Sequence, residues 1–344
     1  MAMSNLDLVD DCDKWVLPSE LRIQVLSKLS SFPYYQSDSA AYFASISTYY
    51  QLRVANHDYA VGYVLPSVAE IFRGLTDWAI DDDERTLTLT AATEAERSHV
   101  VMRTVVAMRE TKHFQVLQKW RNELYPVYGR NREMLFNVER CASPLLGVVT
   151  YGVHMTAFVR KDGSMKIWIP RRARNKQTYG GMLDNAVAGG IALGEVPFES
   201  LVRECEEEAS LPEALVRERA RACGTVTYYY IRDERAGGET GLLQPECQYV
   251  YDLELPEDVV PKPCDDEVEE FYLWSIKEVQ EAMGKAEFKP NCALVMLDFF
   301  IRHGILTSEN EKDYIEITSR LHRKLEFPTL WSVFGVSKTP TIKQ

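Results

Sequence analysis

Three glutamates, Glu204, Glu207 and Glu208, lie in the stretch FESLVRECEEEASL (198–211) at a spacing that can do chemistry. On a helix each residue turns by about 100°, and positions i, i+3 and i+4 share one edge. The three carboxylates would therefore fall within a sector of about 100°. Phe198, Leu201, Val202, Cys205 and Ala209 fill the adjoining apolar sector, while Glu199 and Glu206 point away and Arg203 stands between them and Glu207. Carboxylates crowded at a core edge repel one another. A hard divalent cation, Mg²⁺ or Mn²⁺, relieves that repulsion because it prefers oxygen ligands. Such an ion can bridge to a diphosphate, neutralise charge on the transferred group and activate water. A glutamate run alone is also what a solvated helix face shows, so the flanking residues decide.

The helix must start and stop in the right place. Pro197 suits a first helical position, where its missing N–H has no intrahelical acceptor, and Pro212 lies just beyond the end. Gly189 and Gly190 are expected to allow a tight turn before the helix. Gly189, five residues, Glu195, seven residues, then Arg203-Glu204-Cys205-Glu206-Glu207-Glu208-Ala209-Ser210-Leu211 resembles the Nudix box, G-x5-E-x7-R-E-U-x-E-E-x-G-U, with U a bulky apolar residue. Two positions depart from it: Ser210 replaces the glycine and Cys205 fills an apolar place. The resemblance implies that Glu204, Glu207 and Glu208 bind metal, and that Arg203 and Glu195 orient the loop and helix beside Gly189 and Gly190. It also implies a downstream carboxylate as further ligand or base, for which Glu267 and Glu269 are candidates with Asp266 behind them.

The likeness extends from about residue 50 to 328. WRNELYPVYG (120–129), the Tyr-Gly-Val-His of 151–154, IWIPRR (167–172), GGMLDNAVAGG (180–190), FKPNCALVMLDFFIRHG (288–304) and LHRKLEFP (321–328) resemble a two-domain Nudix subfamily related to thiamine metabolism. Its members carry an α+β N-terminal domain and are fused in some cases to thiamine pyrophosphokinase. This implies hydrolysis of thiamine diphosphate, especially its oxo- and oxy-forms, to the monophosphate. Gly180 stands where that subfamily is expected to carry proline. Arg171, Arg172 and Lys176 form a basic cluster suited to diphosphate oxygens. Trp120, Tyr125 and Tyr128 are candidates to stack on a heteroaromatic cation, or to pack as core; His154, in an alternating strand, reads as structural. Other organic diphosphates, nucleoside or prenyl, and a non-catalytic Nudix binding module are the alternatives. No G-x-x-x-x-G-K-[ST] loop is present to support a kinase.

The elements that must position these residues fall into two units. A smaller α+β domain is expected over 1–140, on the substrate side, a Nudix domain over 141–330, and a tail over 331–344. Leu21, Ile23, Val25, Leu26 and Leu29 suggest an amphipathic face. YQLRVANHDYAVGYVL reads as two short strands, RTLTLT as a third, and TEAERSHVVMRTVVAMRE as a helix capped by Thr93. Beyond Leu145, GVVTYGVHMTAFV, MKIWIPRR, TVTYYYIR, CQYVYDLEL and FYLWSI read as strands and CALVMLDFFIRHGI as a buried helix, which together suggest an α/β/α sandwich. Among the 344 residues the formal net charge is −12, which argues against non-specific nucleic-acid or membrane binding. Seven scattered cysteines without C-x-x-C suggest neither zinc ligation nor disulfides and suit a reducing compartment. The acidic N-terminus lacks a secretion-signal layout and TIKQ matches no address signal, so the expected location is the cytosol.

Overall fold

The computed structural model describes residues 2–13, 39–161, 163–176, 178–264 and 266–329. The apolar positions from Leu21 to Leu29 and the terminal TIKQ lie outside them.

The first half holds α2 (Ser39–Ile46) and a four-stranded sheet, with strands β1 (Tyr50–Val54), β2 (Gly62–Val64), β3 (Trp78–Asp81) and β4 (Thr86–Leu89) in the order β2-β1-β4-β3 and the short helix α3 (Pro66–Ala69) beside it. The central pair β1–β4 is parallel. Helix α4 (Glu94–Glu110) starts at Thr93, whose hydroxyl accepts from the Glu96 N–H at 3.3 Å while the Glu96 carboxylate accepts from the Thr93 N–H at 2.9 Å. This reciprocal cap satisfies two donors that a helix start would otherwise leave open. A separate hairpin, β5 (Leu124–Tyr128) and β6 (Met134–Glu139), packs on α4, and α5 (Ser143–Leu146) leads out of the unit.

The second half is built on β7 (Thr150–Lys161), β8 (Ser164–Arg172), β9 (Val187–Gly190), β10 (Arg221–Ile231), β11 (Leu243–Glu254) and β12 (Val268–Ser275). Their order is β10-β11-β7-β8-β12, and β9 pairs with the first part of β7, from Gly152↔Gly190 to Met155↔Val187. β7 is apolar on both faces because both are covered. Val153, Met155, Ala157 and Val159 pack with Leu201 and Cys205 of α6 (Pro197–Ala209). Phe158 turns the other way into the core of α8 (Ile276–Gly284), α9 (Pro290–Arg302) and α10 (Tyr314–Leu321). With α7 (Glu213–Arg219) beside α6, the layers are helix, sheet, helix, as the strand pattern suggested. No helix among the described residues is long and apolar enough to cross a membrane.

The acidic N-terminal segment joins this second half. Helix α1 (Asn5–Cys12) buries Leu8, Val9 and Cys12 against α9 and α10. Three aspartates at its end meet arginines of the second half: Asp10 with Arg320 at 2.6 Å, Asp11 with Arg235 at 2.7 Å, and Asp13 with Arg323 at 2.9 Å.

Candidate active site

Helix α6 begins at Pro197 and ends at Ala209, so the three glutamates do share one edge. Below its first turn Glu195 accepts from the Ser200 hydroxyl at 2.6 Å and from the Arg203 Nε and Nη2 groups, both at 3.0 Å. The remaining Arg203 nitrogen, Nη1, donates to Glu204 at 3.0 Å and to Glu207 at 2.9 Å. One guanidinium thus ties the loop to the helix and lies between two of the three carboxylates. At the far end Ser210 adopts the left-handed conformation, φ 52°, and the Leu211 N–H reaches back to the Cys205 carbonyl at 3.0 Å. Glycine would hold that turn without steric cost; the serine adds a hydroxyl bond to the Lys262 carbonyl at 3.0 Å.

The two glycines act differently from the turn expected of them. Both lie in β9, and neither has a positive φ. What requires glycine is close approach: a Cβ on Gly189 would stand 2.0 Å from a carboxylate oxygen of Glu204, and one on Gly190 would stand 1.9 Å from the Tyr125 hydroxyl. Gly189→Ala should therefore push the Glu204 side chain out of place. Because the displaced group is the end of a mobile side chain, the melting temperature should change little while kcat/KM falls about 100-fold, the scale of a misplaced reacting group. A variant that keeps full activity would show that Glu204 need not sit against β9.

Burial and crowding set the electrostatics. Burial, then repulsion from Glu207, raises the Glu204 carboxyl to about 7, with Arg203 and Arg140 opposing. Glu208 is raised well above the usual range by burial and by the charge of Glu204, and the Ala188 N–H bonds it at 3.0 Å. Glu195 goes the other way: burial raises it, but the bonds from Arg203 and Ser200 outweigh that and hold it low. Half-exposed Glu207 completes the edge. Glu204 and Glu208, held together at such cost beside Glu207, fit a divalent cation, which would offset their charge.

The carboxylates share an edge, but among the described residues the set of three metal-type donors within 4.8 Å of one another is His154, Asp184 and Cys292. That set is already satisfied. Asp184 pairs with Arg172 at 2.5 Å, the Cys292 thiol lies 2.7 Å from the same carboxylate, and His154 Nδ1 is 2.7 Å from the Asn185 side-chain oxygen. Burial pushes the Cys292 thiol well up and His154 down to about 4. Arg172 already supplies the positive charge a metal would bring, and the cluster reads as core.

The basic cluster expected to receive the phosphates is engaged within the protein. Arg171 donates to the Gly181 carbonyl at 2.8 Å and to the Tyr272 hydroxyl at 3.2 Å. Arg172 is buried against Asp184 and also reaches the Thr178 carbonyl at 3.2 Å. Lys176 is paired with Glu267. All three brace the loop that leads from β8 to β9. Burial raises Glu267, yet its bond from Lys176 prevails and holds the carboxyl low, while its charge is felt by Glu208. Glu269 meets Arg174 at 3.5 Å on the surface.

Different residues line the cavity that reaches β9, a space of about 220 Å³ between the two halves. Its cations are Lys119, Arg121 and Arg140 from the first half and Arg232 and Lys289 from the second. Tyr125, Tyr151, Tyr179, Tyr228 and Tyr230 supply ring surface, and Cys12 of α1 and His154 also reach it. On its wall Gln244, Glu246 and Gln248 alternate along β11, and the Gln248 side-chain oxygen is buried without a hydrogen-bond partner. The three glutamates are not part of this lining; Ala188, Gly189 and Gly190 of β9 form the shared wall between cavity and helix edge. Of the aromatic trio expected to stack on a ligand, Tyr125 alone lines the cavity. Trp120 sits under Arg109 at 4.6 Å, and Tyr128 packs edge-on against Tyr151 at 6.3 Å.

Residues 150–292 match the NUDIX domain family and residues 43–150 match the family described as Domain of unknown function (DUF4743). The second half is thus similar to a Nudix domain, and the stretch before it to a family with no assigned role. An uncharacterized protein of Saccharomyces cerevisiae is 45% identical over 217 residues, which cover 61% of this chain and 63% of that one. Nudix hydrolase 20, chloroplastic, of Arabidopsis thaliana is 42% identical over 206 residues, covering 59% and 53%. The matched stretches span less than two thirds of either relative. A crystal structure from Deinococcus radiodurans aligns at 21% identity over 52% of this chain and 99% of its own, with a TM-score of 0.38.

Proposed function

We propose that the chain is a divalent-metal-dependent hydrolase that cleaves the phosphoric anhydride bond of a small organic diphosphate. The observation that carries this reading is the α6 edge, where Glu204 and Glu208 are buried, mutually repelling and raised in pKa beside a Nudix box of intact spacing. Glu204, Glu207 and Glu208 would hold Mg²⁺ or Mn²⁺, which would supply charge neutralisation and an activated water. Arg203 orients two of those carboxylates, and Glu195 fixes Arg203.

The substrate in this reading is thiamine diphosphate or its oxidised oxo- and oxy-analogues, released as the monophosphate and phosphate. The tyrosine-lined cavity suits a flat heteroaromatic head. A cytosolic location goes with this reading. The test is a phosphate-release panel with Mg²⁺ and with Mn²⁺, comparing thiamine, oxythiamine, nucleoside and prenyl diphosphates. Release from the thiamine compounds with a kcat/KM at least about tenfold above the others is expected, a difference of roughly 1.4 kcal/mol in transition-state binding. Equal rates on all four would remove the thiamine assignment and leave the hydrolase class standing.

A further inference from the structure

The first half meets the site through the open end of one hairpin. Strands β5 and β6 pair from Leu124↔Glu139 onward, so the residues just before β5 and just after β6 come together. Two bonds close that end: the Arg121 N–H donates to the Glu139 carboxylate at 2.8 Å and the Arg140 N–H to the Glu123 carbonyl at 2.8 Å. Lys119, Arg121 and Arg140 are thereby gathered on the cavity wall. The same hairpin holds the catalytic loop, because the Leu193 N–H donates to the Leu124 carbonyl at 2.8 Å. Tyr125 fills the space that the missing Cβ of Gly190 leaves, and the Arg140 guanidinium lies over the Tyr125 ring at 5.6 Å while pairing with Glu123 at 2.7 Å.

We infer that the first half completes the active site: Lys119, Arg121 and Arg140, at the open end of its hairpin, form a phosphate-binding wall beside the glycine pair of β9 against which Glu204 packs. This assigns substrate anchoring to the domain whose family has no stated role, and it rests on the diphosphate reading above. Five cations against the single carboxylate of Glu246 make the cavity lining anion-selective. Burial together with the neighbouring charges of Arg232 and Arg121 depresses Lys119, a crowding that a bound anion would relieve. Arg140 also stands against β9, its guanidinium carbon 3.4 Å from where a Cβ on Gly190 would lie. Arg171, Arg172 and Lys176, braced against their own loop, leave this task open.

The test uses the full chain with inorganic pyrophosphate in EDTA, so that metal-dependent turnover plays no part, and titration calorimetry as the readout. Wild type should bind, and binding should weaken steeply with salt. Lys119→Gln and Arg121→Gln, on the cavity rim, should each weaken it about tenfold, and Arg140→Lys less than Arg140→Gln. Arg140 is paired with Glu123, so its variants count only where the melting temperature stays near wild type; the rim variants carry the test in any case. KM for the diphosphate should rise in parallel while kcat changes less. Absence of pyrophosphate binding in wild type, or unchanged affinity in the Lys119→Gln/Arg121→Gln double variant, overturns the inference. The two readings fail separately. Pyrophosphate binding that wild type shows and the double variant loses, in a protein that hydrolyses no diphosphate, keeps the wall and removes the enzyme, whereas hydrolysis with unchanged KM in the double variant does the reverse.

Discussion

Glu204→Gln should cut metal-dependent phosphate release by about 10²- to 10³-fold or more, the scale of losing a group that stabilises transition-state charge, and yet stabilise the metal-free protein above neutral pH. The second effect follows from the raised carboxyl. Burial pushes the Glu204 carboxyl up to about 7 in the fold, above its ordinary 4.5. Between those values the folded state keeps a proton that the unfolded state releases, so stability falls as pH rises through that window and stays low above it. With only 12% of the side chain exposed, the penalty is on the order of 3 kcal/mol. Glutamine has no proton to lose, so the stability of the variant should be flatter from pH 4.5 to 8. Adding Mg²⁺ to the wild type should raise its melting temperature more at pH 8 than at pH 6, since metal and proton compete for the same oxygens. Glu208→Gln should behave in the same way. Exposed Glu207→Gln should lose activity without gaining stability, because it surrenders the Arg203 bond and relieves little burial. Undiminished phosphate release in Glu207→Gln or Glu208→Gln would remove the site assignment outright.

Much of this edge was legible in the sequence because it is local. Helical spacing alone places Glu204, Glu207 and Glu208 together, and the start at Pro197 and the end at Ala209 follow from the same segment. The cap of α4 at Thr93 is local too. Contacts between distant segments were not legible. Arg172 looks like a surface cation in IWIPRR, and only the return of the chain at Asp184 buries it. Lys119, Arg121 and Arg140 carry no motif, and their meeting depends on β5 pairing with β6. A signal was nonetheless present in QPECQ, where Gln244, Glu246 and Gln248 alternate along a strand: polar residues at every second position facing a covered side ask for a ligand or a network. In sequence the glycine pair suggests a turn, because glycine more often serves backbone freedom than clearance, and clearance shows only when Glu204 and Tyr125 are in place.

The largest expected loss of stability comes from a residue with no part in the chemistry. Asp13 and Arg323 are both wholly buried as a side-chain pair, with Arg323 Nη1 2.9 Å from each oxygen of Asp13, and the Tyr229 N–H also bonds to Asp13 at 2.9 Å. Arg320, itself buried, lies 3.7 Å from the same carboxylate. Asp13→Ala would leave the Arg323 charge without its carboxylate in a medium that solvates charge poorly, at a cost of about 3–5 kcal/mol. Asp11→Ala, which breaks a more exposed pair with Arg235, should cost about 1 kcal/mol or less. Replacing both partners, as in Asp13→Leu with Arg323→Met, should recover most of the loss, because the penalty belongs to the stranded charge rather than to the pair. Urea unfolding of the four proteins separates these outcomes; an Asp13→Ala midpoint within about 1 kcal/mol of wild type would mean that α1 is not held as described. Activity connects the helix to the site. Cys12, the neighbour of Asp13, lines the cavity, so loosening α1 should open its wall and raise KM in Asp13→Ala at temperatures where the fold still holds.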